Sequence, residues 1–185
     1  MRRRVLSLAV LIALMTASPV SGASASQTGE AGSSMFHDVG CLRYAATIGV
    51  FWSSDQASPS AAVYEAYVYG AVIDTCAGFE YLSTYYVQVP PSDVDLTFQG
   101  TPLEAVNVKA VGSGVRSDGQ TLPFSLDMTW NGTGAPGVSH NAFDGSHIVY
   151  AYRFAETSGS FLIDGVEFAG LGATDYLVWS REGSR

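Results

Sequence analysis

An all-β, antiparallel fold is predicted for this chain, and three features predict it. Apolar residues recur with period two along most of the sequence, aromatic and β-branched residues fill those segments, and turn residues such as Asp-Gly separate them. No stretch of ten or more residues carries a clean helical stripe, so parallel α/β folds lack the crossover helices they need. About nine short strands with hairpin-sized connections in one domain match an antiparallel β-sandwich, with a closed β-barrel as the alternative.

The amino-terminal residues are set apart from that domain. Arg2, Arg3 and Arg4 precede the apolar run Val5 to Met15, and Ala23-Ser24-Ala25 matches a small-residue cleavage site. Residues 1–25 are therefore expected to be a secretory signal peptide. Its apolar run is too short to cross the roughly 30 Å hydrocarbon core of a bilayer as a helix, so no membrane insertion is expected after its removal. Residues 26–40 begin small and polar and are expected to form a flexible lead-in, with 41–185 as the single domain.

The first strand is expected at Leu42 to Trp52, where Leu42, Tyr44, Ala46, Ile48, Val50 and Trp52 share one face. Further strands are read at Val63–Ile73, Phe79–Val89, Val94–Phe98, Leu103–Val111 and Leu122–Trp130, then at His147–Phe154, Ser160–Ile163, Val166–Phe168 and Tyr176–Trp179. Ala57 to Tyr69 could start as a helix, but Val63, Tyr64, Tyr67, Val68 and Tyr69 favour a strand. The apolar phase places Trp52, Val108, Leu126, Met128 and Trp130 in the core. Asp118-Gly119 and Asp164-Gly165 suit type I′ hairpins, whose two central residues need positive φ. Asn131 to Ser146 reads as the longest connection.

Charge excludes some partners. Nine Lys+Arg stand against 17 Asp+Glu, a formal net charge of −8. Cleavage removes three arginines and no acid, leaving 9 − 3 = 6 basic residues and a net charge of −11. Such a surface does not neutralise phosphates, so nucleic acid is not an expected partner. Cys41 and Cys76 are the only cysteines, and an even count in an exported chain predicts a disulfide between them.

The segment Val106-Asn107-Val108-Lys109-Ala110, Asp118-Gly119, and Asp127 through Gly134 resembles a pattern in exported bacterial β-sandwich proteins of unassigned function. The resemblance spans about thirty residues and implies the fold and the compartment; it brings no catalytic residue with it.

Catalytic and cofactor fingerprints are missing. Gly137-Val138-Ser139-His140-Asn141 lacks the last glycine of a nucleophile elbow, and His-Glu-x-x-His, phosphate-loop and dinucleotide patterns do not occur. Lys109 is the only lysine in the expected mature chain, which argues against Schiff-base chemistry. His140, Asp144 and His147 could approach one another in the long connection, but their spacing fits no metal template. Asp93 and Asp95 flank Val94 and could face one way towards calcium, although two carboxylates do not make a site. No cofactor and no metal are expected.

Two function classes follow. The first is a secreted, non-catalytic module that binds carbohydrate or an extracellular protein, with Glu65, Tyr67 and Tyr69 sharing the strand face opposite Ala66, Val68 and Gly70. The second is a small extracellular glycoside hydrolase that pairs two of Glu65, Glu80, Asp127 and Glu167 across a cleft. Asn131-Gly132-Thr133 also fits a glycosylation acceptor.

Overall fold

The computed structural model describes residues 25–55, 62–143, 146–169 and 172–184. The expected signal segment, apart from Ala25, lies outside the described residues. Eleven strands run in chain order: β1 (Ala25–Val39), β2 (Leu42–Asp55), β3 (Ala62–Asp74), β4 (Glu80–Val89), β5 (Val94–Phe98), β6 (Ala105–Arg116), β7 (Thr121–Gly132), β8 (Gly137–Phe143), β9 (Ser146–Ile163), β10 (Val166–Ala169) and β11 (Gly172–Ser184). A single 3-10 turn, Pro91–Asp93, separates β4 from β5. The all-β antiparallel expectation holds.

Strand pairing closes on itself. β9, β11, β1, β2, β3, β4, β6 and β7 pair in that order, and β7 returns to β9. The narrowest junction joins β4 to β6 through Tyr85↔Arg116 and Tyr86↔Val115 alone. Beyond the Pro90-Pro91 break, β5 resumes along the same edge of β6, from Val94↔Ala110 to Phe98↔Val106. Proline donates nothing to a ladder, and the chain passes Pro90 and Pro91 through the 3-10 turn before it pairs with β6 again.

Inward side chains fill the circuit. Trp52, Trp130, Phe161, Phe168, Met35 and Met128 are almost fully buried, and Val108 and Leu126 join them. All five core residues expected from the alternation are therefore inside. Trp130 Nε1–H donates to the Gly32 carbonyl at 3.0 Å, tying β7 to β1 across the interior. Asp175 is also buried inside, accepting hydrogen bonds from the Ser33 hydroxyl and, at 2.7 Å, from the Thr157 hydroxyl.

Three glycines on this inward side face an aromatic residue directly across the ladder: Gly29↔Trp52, Gly70↔Tyr85 and Gly112↔Phe124. A methyl group added at Gly29 would stand 2.4 Å from the Trp52 indole, so the glycine is what lets the indole lie against the backbone. Tyr85 passes over Gly70 and donates its hydroxyl to the Ala45 carbonyl at 2.8 Å. Covering a strand glycine with a cross-strand ring replaces the packing that the missing side chain would supply.

Several expectations need correction. Residues 26–40 are not a flexible lead-in: β1 pairs along its length with β2 and β11, and buries Ala31, Ser33 and Met35. The long connection Asn131 to Ser146 contains β8, paired with β9 from Gly137↔Tyr152 to Phe143↔Ser146. His147–Phe154 and Ser160–Ile163 are one strand, because Thr157 turns inward to Asp175 and the polar residues around it keep pairing with β7. Asp164 and Gly165 both take positive φ, as a type I′ hairpin requires. At Asp118-Gly119 only the glycine does, and Gly119 N–H donates to the Arg116 carbonyl, closing a three-residue loop instead.

The disulfide Cys41–Cys76 is formed, joining the β1–β2 turn to the turn after β3. Thr75 reinforces the junction, since its N–H and its hydroxyl both donate to the Cys41 carbonyl, at 2.8 and 2.9 Å. In the chain-entropy argument a closed loop of 35 residues contributes about 3–4 kcal/mol. Among the described residues no helix is long and apolar enough to cross a membrane.

Candidate functional site

The outward side of β3, β2, β1, β11 and β9 carries a band of aromatic residues interrupted by two adjacent glycines. Across this row the pairing runs Tyr67 to Gly49, Gly49 to Gly32, and Gly32 to Tyr176. Tyr67 lies over Gly49, where an added methyl would meet its ring at 2.8 Å; Tyr176 lies over Gly32, where the distance would be 2.3 Å. Two tyrosines thus reach towards each other from either side of a strip formed by β2 and β1, about 10 Å wide, in which the two glycines of this row carry no side chain.

One carboxylate, Glu30, sits within that strip on β1, and another, Glu65, stands beside it on β3. The Tyr176 hydroxyl donates to Glu30 Oε1. Burial first, then that hydrogen bond and the Glu30 charge, hold the Tyr176 phenol well above the usual tyrosine range. Tyr67 is also raised, by burial first and then by the charges of Glu30 and Glu65. Both phenols are thus held protonated by burial together with neighbouring acidic groups, and Glu30 acts on both of them. Phe51, between Glu65 and Glu30 in the pairing, lies nearly parallel to the Tyr67 ring, with centroids 6.0 Å apart at 22°.

The band continues at both sides. Tyr69 and Tyr86 are cross-strand partners and stand 52% and 47% exposed. On β9, Tyr152 lies over Gly137 of β8 and meets Phe154 edge-on, with centroids 6.1 Å apart.

Glu65, Tyr67 and Tyr69 fall on the outward side of β3 as the alternation required, opposite buried Ala66, Val68 and Gly70. The sequence reading missed Glu30 and Tyr176. Glu30 falls within 26–40, which reads from sequence as a lead-in, and no alternation of apolar residues marks it there. Tyr176 was recognised as strand, but its partner Gly32 was not.

The other candidate groups do not assemble in the same way. Glu65 stands near the start of β3, whereas Glu80 pairs with Asp74 at its far end, a separation along the strand of about 30 Å. Asp127 is paired to Lys109 at 3.0 Å, and its carboxyl is held below the usual range chiefly by that lysine. Glu167 lies on β10, with β9 between it and β7. Asp93 ends the 3-10 turn and does not belong to the strand of Asp95. Lys109 stands between Asp95 and Asp127 in the cross-strand row, placing an ammonium where a cation ligand set would have to close. Among the described residues no three metal-ligating side chains gather. His140 and His147 stack at 5.7 Å on β8 and β9, and Asp144 lies outside the described residues.

A separate cavity of about 200 Å³ opens where the inward sides of β1, β11, β9 and β8 meet the turn at 101–103. Trp179 and Arg181 line it from β11 and His140 from β8.

No protein-family model matches the chain, and no curated protein matches it. A solved structure of "a putative AttH" from Nitrosomonas europaea is similar at 14% identity and a TM-score of 0.35, over 87% of this chain. The chain spans about half of that protein, 51% of its length.

Proposed function

We propose that the chain is a secreted, non-catalytic module that binds carbohydrate through the outward tyrosine band. The observation that supports this most is the placement of Tyr67 and Tyr176 against Gly49 and Gly32 on the outward side. A ring seated against a glycine and still partly in water offers a preset stacking surface, and preset geometry is what makes aromatic contacts add to area burial. Glu30 within the same strip and Glu65 beside it supply acceptors for sugar hydroxyls. The formed disulfide is compatible with an oxidising compartment, and the acidic surface disfavours polyanionic partners. An extracellular protein is the alternative partner, and an exposed aromatic band would serve it too.

A glycan array probed with residues 26–185 tests the reading. Binding to a defined set of neutral glycans is expected. An array without signal, alongside capture of a protein partner, would replace carbohydrate with protein.

A further inference from the structure

We propose that β8 is a dimerisation edge, on which a second copy of this chain adds its own β8 in antiparallel register about a twofold axis at His140.

The free edges of the sheet are not alike. A strand edge without a partner offers a row of N–H and C=O groups to any other strand, and proteins blunt it with charge, shortness or a bulge. β5 and β10 end the pairing path; they have five and four residues and carry Asp95 and Glu167. The stretch of β4 that β6 leaves unpaired begins at Glu80 and is broken by a register shift against Val72 and Ile73. β8 has none of these devices. Its seven residues, Gly137–Phe143, include no Asp, Glu, Lys, Arg or Pro, and they pair with β9 without a register shift. β9 is its only strand partner among the described residues, and Val138 through Ala142 are all exposed.

The sequence of β8 suits a copy of itself. Full use of the strand about a twofold axis places His140 opposite His140 of the second copy, Ser139 opposite Asn141, Val138 opposite Ala142 and Gly137 opposite Phe143. Polar residues then meet polar ones, aliphatic meet aliphatic, and no acid or lysine faces its like. Charge also favours this edge as the place where two acidic chains meet. The chain carries −8, yet neither β8 nor the part of β9 paired with it, 146–152, contains Asp or Glu; the one acid between them in sequence is Asp144. A contact that uses the same strand on both copies closes at two. It also continues the sheet with outward side beside outward side, so two tyrosine bands share one surface, although the dimer does not rest on the carbohydrate reading. Seven paired residues bury little area, which places the dimer among weak associations.

The test is sedimentation velocity on residues 26–185 over a range of concentrations. A monomer–dimer equilibrium with a Kd of about 100 µM or tighter is expected. Ser139→Lys with Asn141→Lys brings four ammonium groups to the shared ladder and should give a monomer throughout, with the urea midpoint unchanged because both positions are exposed. Ser139→Glu with Asn141→Glu should also be monomeric, and mixing the two variants should restore the dimer, since each lysine then meets a glutamate across the axis. His140→Cys should cross-link to its own copy under mild oxidation, because residues directly opposite in an antiparallel ladder stand about 4.5–5.5 Å apart at Cα, within disulfide reach. Val138→Cys, four residues out of step with itself in this register, should not. If the lysine variant fails to fold, the two cysteine variants decide alone. A monomer up to about 1 mM, a folded lysine variant that dimerises like the parent, or a mixture that stays monomeric would overturn the proposal. Self-cross-linking at Val138 in place of His140 would overturn it as well.

Discussion

The two sides of the strand circuit use one device for opposite ends. On the inward side Gly29, Gly70 and Gly112 are covered by Trp52, Tyr85 and Phe124, all buried to within 5% of full exclusion. On the outward side Gly49, Gly32 and Gly137 are covered by tyrosines only, Tyr67, Tyr176 and Tyr152, and each of these keeps part of its surface in water. Inside, the glycine makes room for a ring that the core needs. Outside, the same pairing seats rings against glycine on a side that water reaches. A sheet glycine opposite an aromatic residue is thus a packing device whose consequence depends on the side it faces.

The largest expected effect comes from the inward pairs. Trp52→Ala should cost about 3–5 kcal/mol, read as a lowered urea midpoint. Gly29→Ala and Gly70→Ala should each cost about 1–3 kcal/mol, since the added methyl meets a buried indole in one case and the Ala45 carbonyl, at 2.4 Å, in the other. Gly49→Ala should cost less than Gly29→Ala, because the methyl meets the far end of a half-buried Tyr67 in place of a buried indole, and the loss that remains is that of unseating the ring. Equal losses from Gly29→Ala and Gly49→Ala would erase the distinction between the two sides.

Alkaline titration sharpens it. Tyr85, Tyr176 and Tyr67 have phenols raised in the folded protein, chiefly by burial. A raised phenol means that the native state holds its proton longer than the unfolded chain. The associated stability is complete below the unfolded value near 10 and is lost as pH climbs towards the folded value. Phenolate absorbance should therefore show these tyrosines ionising late. Glu30→Gln should bring Tyr176 and Tyr67 forward while leaving Tyr85 where it was, because Glu30 acts only on the outward pair.

The smallest effects lie at the exposed ion pairs. Arg43 holds the Asp38 carboxyl low, and Arg116 does the same for Asp118. Folded values below the unfolded 3.8 mean that this contribution is present above that pH and disappears as pH falls through the folded values. Asp118→Asn should flatten the acid limb of the stability profile slightly, a change visible only at low salt.

Much of the fold was legible in the sequence because period-two alternation survives wherever one face is apolar, as in Leu122 to Trp130. It was not legible where polar or small residues occupy inward positions. β1 turns Gly29, Ala31 and Ser33 inward, residues of low strand propensity whose burial depends on partners far along the chain, Trp52 and Asp175. The middle of β9 was hidden for the same reason, since Thr157 is buried by its bond to Asp175 and not by hydrophobicity. At the candidate site, Glu65, Tyr67 and Tyr69 followed from one strand's alternation. Glu30 and Tyr176 could not, because they join the site through cross-strand registers that no local pattern records.

One experiment bears most directly on the division between the two sides: stability and glycan affinity measured together on the Tyr67→Ala, Tyr69→Ala double variant. The urea midpoint should correspond to a loss of no more than about 1 kcal/mol, since Tyr69 is largely exposed and Tyr67 only half-buried. Affinity for the glycan selected by the array should fall about tenfold or more, equivalent to about 1.4 kcal/mol. Unchanged glycan affinity in a folded double variant, with His140→Ala and His147→Ala abolishing it instead, would contradict the account.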